Sequence, residues 1–142
     1  MIALLDINFL IALFDAAHVH HATAQSWLSA HRSSGWATCP ISENGCIRVL
    51  SQPRYPGNLP VADITRRLRV ATNAPDHTFW PDSISLCDAK RFLHEQILTP
   101  KPLTDLYLLA LAVANKGRLA TFDRAIPPSA VAGAQARHMA VL

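Results

Sequence analysis

Short apolar runs alternate with helically spaced apolar positions along the whole chain. Ile2 to Leu5 is the first run and reads as a buried strand. Asp6-Ile7-Asn8 turns the chain into an apolar helix ending near Asp15. From about His21 to His31, the residues Ala24, Trp27 and Leu28 recur at helical spacing. Trp36 to Cys39 is a second strand, ended by Pro40, which disfavours helix in the residue before it. Ser42 opens a helix carrying Ile47, Val49 and Leu50, and the Pro- and Gly-rich stretch from Pro53 to Pro60 is a loop. Val61 to Thr72 predicts a basic amphipathic helix with Val61, Ile64, Leu68 and Ala71 on one face. His77 to Trp80 reads as a third strand and Leu86 to Ile97 as a helix with Phe92 and Leu93 inward. Thr104 is placed to N-cap the most apolar helix, which Gly117 would close at C′. Arg118 to Phe122 and His138 to Val141 supply a fourth and a fifth strand.

Four or five short apolar strands separated by helices predict an α/β fold, with a central parallel sheet covered by helices on both faces. No repeat, low-complexity tract or linker divides the 142 residues, so residues 1–142 form one domain. Half of the residues are hydrophobic and 16% are charged, which excludes intrinsic disorder. The longest uncharged apolar run, Leu106 to Ala114, is nine residues. A membrane span needs roughly 20. The apolar start lacks a basic residue ahead of it and carries an acid at position 6, unlike a signal peptide, so the expected location is the cytoplasm. Three cysteines, none in a CxxC, read as small buried hydrophobes rather than a disulfide or zinc framework. His18, His20 and His21 cluster without a second cluster to complete a zinc site.

The net charge of +3 is mild, but its distribution is not. Arg48, Arg54, Arg66, Arg67 and Arg69 fall within 22 residues holding a single acid, Asp63. Arginine's planar fork suits bidentate phosphate contacts, so this region is a candidate surface for a polyanion, the alternative being a solvated helix face. Four of the ten acids sit among apolar neighbours: Asp6, Glu43, Asp105 and Asp123. Asp6, Glu43 and Asp123 each follow a predicted strand directly or after one turn, and Asp105 opens a helix. In a parallel sheet those strand ends share one edge, where ligands bind. Four carboxylates gathered there would repel one another and rise in pKa. A hard cation such as Mg²⁺ or Mn²⁺ relieves that conflict, activates water and stabilises a phosphate under attack.

The segments LLDINFLIALF, SENGCIRVLSQ, LTDLYLLALA and TFDRAI, each holding one of these acids, resemble the PIN-domain ribonucleases, specifically the VapC-type toxins of toxin–antitoxin pairs. HVHHATAQSW and QPRYPG are similar as well, and the resemblance runs the length of the chain. It implies a Mg²⁺- or Mn²⁺-dependent endoribonuclease, a homodimer, and neutralisation by a VapB-like antitoxin. Asp6 and Asp105 then correspond to the main metal ligands, with Glu43 and Asp123 completing the acidic pocket directly or through water. Asn8 and Thr104 match positions where the family often has small polar side chains, and Thr121 precedes Asp123 by two. The same fold could also serve as a non-catalytic RNA- or partner-binding module. A phosphoacceptor signalling module is disfavoured, because Asp6 stands alone and Arg118 to Asp123 lacks the lysine such a site pairs with its acids. No GxxxxGK[ST], GxGxxG or GxSxG motif supports a nucleotide-binding or serine-hydrolase alternative.

Overall fold

A computed structural model describes all 142 residues. Five strands, β1 (Ala3–Leu5), β2 (Trp36–Thr38), β3 (His77–Phe79), β4 (Arg118–Thr121) and β5 (Met139–Val141), form one sheet in the order β3-β2-β1-β4-β5. Every neighbouring pair is parallel. Between the strands run α1 (Ile7–Phe14), α2 (His21–His31), α3 (Pro40–Leu50), α4 (Val61–Thr72) and α5 (Leu103–Ala114). The chain starts at β1 in the centre, winds outward to β3, then crosses back to β4 beside β1. That reversal opens a crevice at the carboxyl ends of β1 and β4, where ligands bind in such sheets.

Strand side chains alternate between two cores. Ala3, Leu5, Trp36 and Ala120 face α1, α2, α3 and α4, packing with Phe9, Leu28, Cys46, Leu50, Ile64 and Leu68. Leu4, Ala37 and Leu119 face α5. Seven consecutive residues of α5, Leu106–Ala112, are buried. A helix apolar all round needs cover on all sides. Beyond the sheet, α5 packs against Trp80, Phe92, Ile126, Ala130 and Val131. The apolar residues of α1 and α5 are thus covered by the chain's own two cores.

Two expectations fail in informative ways. The helix expected over Leu86 to Ile97 does not form; apart from one 3-10 turn at His94–Gln96 the segment is irregular. Phe92 is buried whereas Leu93 is 43% exposed, an in-out alternation that suits extended chain. The Asp88 side chain accepts from the Lys90 N–H, turning the chain, and Leu93 then pairs through its N–H with the Ala130 carbonyl. Phe92 is thereby laid over α5 as part of its outer cover. Cys87, in the same segment, is exposed, whereas Cys39 and Cys46 are buried as expected.

The second concerns the ends of α5. Thr104 is not its N-cap: the helix begins at Leu103 behind Pro102, and Thr104 is exposed within the first turn. At the other end Lys116, with φ 58°, takes the left-handed position expected of Gly117. The Lys116 N–H donates to Val113 O and the Gly117 N–H to Ala112 O, which together make a Schellman closure with glycine one residue late. Gly117 serves a different need. A Cβ there would lie 2.5 Å from Trp80 Cη2 and 2.6 Å from the Ile2 carbonyl oxygen.

Candidate active site

Asp6 ends β1 and N-caps α1, in the extended conformation that a cap requires. Its Oδ1 accepts from the Phe9 N–H at 2.6 Å. Its Oδ2 accepts from the hydroxyl of Thr121, the last residue of β4. That hydroxyl oxygen in turn accepts the Asp123 N–H at 2.9 Å. Thr121 thus ties Asp6 to the turn that carries Asp123, and the Ala125 N–H donates to Asp123 Oδ1 within that turn. Asp6 and Thr121 are both buried. Asp105 approaches from the first turn of α5 on the other face of the sheet.

Asp105 and Asp123 line one cleft of about 480 Å³, together with Asn8, Gln96, Thr99 and Lys101. Asp6 lies 1% exposed beside them. Burial pushes its pKa up to about 6, and the negative charges of Asp105 and Asp123 add to the rise. Asp105 is also raised, by burial and then by the charge of Asp123. Asp6, Asp105 and Asp123 therefore share one electrostatic environment, three of the four acids that the sequence pattern groups together. Glu43 is held differently. It sits in the first turn of α3 and its Oε1 accepts from the Thr38 hydroxyl at 2.7 Å, at the end of β2. Its charge is felt by Cys46 and His77 rather than by the aspartates.

No three acidic, histidine or cysteine side chains converge tightly enough to cage an ion by themselves. The two carboxylates that line the cleft, Asp105 and Asp123, are the kind of donors that suit a cation which keeps most of its water, as Mg²⁺ does. Lys101, Thr99 and Gln96 carry no chemical signal in the sequence, because the course of the chain before α5 depends on packing and Gln96 falls in a segment whose pattern predicts a helix that does not form.

Comparisons with known proteins show the family. The PIN domain model matches residues 3–130. Ribonuclease VapC44 of Mycobacterium tuberculosis is 46% identical over 142 residues, all of both chains. Ribonuclease VapC39 of the same organism is 42% identical over 135 residues, 94% of this chain and 96% of that one. The chain belongs to the PIN-domain family, among the VapC ribonucleases. A crystal structure of VapBC2 from Rickettsia felis, bound to a DNA fragment from their promoter, shares the fold with a TM-score of 0.57. It is 15% identical and covers 89% of this chain and 94% of its own.

In this VapC-type ribonuclease the five candidate arginines occupy different surroundings. All are exposed. Arg48 lines a second cavity with Asn44, Asp82 and Thr104. Ile7 and Thr104, the neighbours of Asp6 and Asp105, also line it, so it adjoins the acidic cleft. Arg67 flanks a shallow groove with Phe14, Arg66 and Val70. Arg66 is paired with Asp63 at 2.5 Å, an exposed contact within α4 that leaves it less free for phosphate. Arg54 lies in the loop before α4 and Arg69 on the outer face of that helix. No helix is long and apolar enough to cross a membrane.

The burial of Asp6 makes metal-free stability depend on pH. Its native pKa of about 6 lies above the ordinary value of 3.8, so the native state binds the extra proton between those values. Asp6 therefore costs nothing below pH 4, and the native state loses on the order of 3 kcal/mol as pH rises through 4 to 6 and beyond. Asp6→Asn keeps a good cap and removes the charge. Urea denaturation in EDTA should show the variant gaining on wild type as pH rises from 4.5 to 8. A constant difference across that range would mean that Asp6 is not desolvated.

Proposed function

We propose that this VapC-type endoribonuclease cleaves RNA phosphodiester bonds at the cleft of Asp6, Asp105 and Asp123, with Glu43 serving the same reaction and a Mg²⁺ or Mn²⁺ ion as cofactor. The observation that carries the reading is the pair Asp6 and Asp105, raised in pKa first by burial and then by neighbouring negative charge that includes Asp123, beside an open cleft at the carboxyl edge of a parallel sheet. Charge buried and crowded in this way costs stability and is relieved by a cation. The resemblance makes Asp6 and Asp105 the main ligands; with both Asp6 oxygens engaged by Phe9 and Thr121, Asp105 and Asp123, which line the cleft, would hold the metal and Asp6 would complete the negative field beside them. When bound, the ion supplies charge stabilisation on the phosphate and a water of lowered pKa. Thr121 fixes Asp6 and the Asp123 turn relative to each other, so the acids need not reorganise during the reaction.

Lys101 in the cleft and Arg48 in the adjoining cavity would hold RNA phosphates on either side of the scissile bond. Arg54, Arg67 and Arg69 would extend that contact by general attraction. In the same reading the chain acts in the cytoplasm as a homodimer, and a VapB-like antitoxin silences it. The test is cleavage of a long ribosomal RNA transcript in EDTA, followed by addition of Mg²⁺ or Mn²⁺. Cleavage should be absent in EDTA and return with either ion. Full cleavage in EDTA would remove the metal from the mechanism, and RNA binding without cleavage under every condition would leave a binding module.

A further inference from the structure

The acids of the cleft account for Asp6, Asp105 and Asp123, but not for the polar chain that ends on Glu43. Thr38 is fully buried at the end of β2, and its hydroxyl has one proton to give. A carboxylate can only accept, so that proton goes to Glu43 Oε1, 2.7 Å away. The same hydroxyl oxygen lies 2.8 Å from His77 Nε2. With the hydroxyl proton committed, Nε2 must carry a proton and donate it. Both the neutral Nε2–H tautomer and the imidazolium satisfy this, so the contact does not depend on charge. His77 is itself fixed at the start of β3. Its backbone pairs with Trp36, its N–H donates to the Ala74 carbonyl, and its ring meets the Trp36 ring edge-on at 4.5 Å.

We propose that His77 is a positioning residue for Glu43, acting through Thr38. The inference rests on the reading above in which Glu43 serves cleavage. Glutamate has three rotatable bonds and would otherwise sample many orientations at the start of α3. Here Oε1 is tied down by a hydroxyl that is itself oriented by the imidazole, and Oε2 keeps no protein hydrogen bond, so it is left for water, cation or substrate. Neither His77 nor Glu43 lines the acidic cleft or the cavity beside it, and the Thr38 hydroxyl is the polar contact that joins the two side chains.

The experiment measures kcat and KM on one ribosomal RNA transcript in Mg²⁺, for wild type, His77→Ala, His77→Gln, Glu43→Gln and the double variant His77→Ala/Glu43→Gln. Asp105→Asn serves as the control for the acid cleft, and thermal melts confirm folding. His77→Ala should lower kcat about 10-fold, in the range found when a residue orienting a ligand is removed. KM should stay within about twofold, and His77→Gln, whose amide N–H₂ can donate from the same place, should restore most of the rate. In the Glu43→Gln background, His77→Ala should add almost nothing, because the two changes act on one carboxylate. Should His77→Ala fail to fold, Thr38→Val carries the same expectation against Thr38→Ser. An unchanged kcat in His77→Ala, a loss confined to KM, or equal losses with and without Glu43 would overturn the proposal. Cleavage retained by Asp105→Asn would instead overturn the acid-cleft reading, leaving the link between positions 77 and 43 to be read from the double variant.

Discussion

Asp105→Asn leaves a folded protein whose RNA cleavage falls by about 100-fold or more. The substitution is nearly isosteric and keeps a polar group in the first turn of α5. If Asp105 merely complements the helix dipole, the change costs about 0.3–1 kcal/mol of stability and leaves activity alone. Its surroundings argue otherwise. Asp105 lines the cleft with Asp123, and burial and that neighbouring charge both raise its pKa. A carboxylate kept in so unfavourable a place is worth its stability cost only if something positive binds there. Losing one charged ligand removes several kcal/mol of stabilisation from the metal-assisted step, at about 1.4 kcal/mol per tenfold in rate. Metal-free thermal stability should hold or rise, since one repelling charge is gone. Near-normal cleavage by the purified variant in Mg²⁺ would sink the mechanism.

Gly117→Ala should be strongly destabilising for so small a change. The added Cβ would meet Trp80 Cη2 at 2.5 Å and the Ile2 carbonyl oxygen at 2.6 Å. That carbonyl accepts the Arg118 N–H where β1 and β4 begin to pair, so the backbone cannot step aside without opening the sheet's central ladder. Overpacking of this kind costs about 2–3 kcal/mol, or roughly 5–10 °C in Tm for a chain of this size. Lys116→Gly should act in the opposite sense, stabilising by about 0.5–1 kcal/mol, because Lys116 holds the left-handed conformation that suits glycine. If Gly117 were the left-handed C′ residue, as sequence spacing suggests, Lys116→Gly would destabilise. Differential scanning calorimetry of the two variants decides between these roles.

The alternation of apolar runs and helical spacing determined the class, the parallel sheet and the approximate place of every strand. These are local properties: a strand buried on both faces must be apolar, and a crossover helix must follow it. The sequence also marked all four acids, because a charge among apolar neighbours stands out whatever the fold. Strand order, by contrast, is not written in any segment. The return of β4 to the side of β1 creates the crevice, and it brings Thr121 onto Asp6 across 115 positions. The same long-range packing places the acids in two different surroundings. Asp6, Asp105 and Asp123 share one electrostatic environment, while the Thr38 hydroxyl draws Glu43 toward His77.

Tertiary structure also overruled local signals where packing outweighed propensity. The residues from Leu86 to Ile97 have helical composition, but α5 is apolar all round and must be covered, so Phe92 is laid across it in extended chain. Gly117 looked like a cap and is instead the place where Trp80 and the β1 backbone come too close for any side chain. A sequence pattern records what each residue prefers on its own. Which preferences yield is decided by contacts between segments far apart in the chain, because burying a whole core outweighs the fraction of a kcal/mol that separates one local conformation from another.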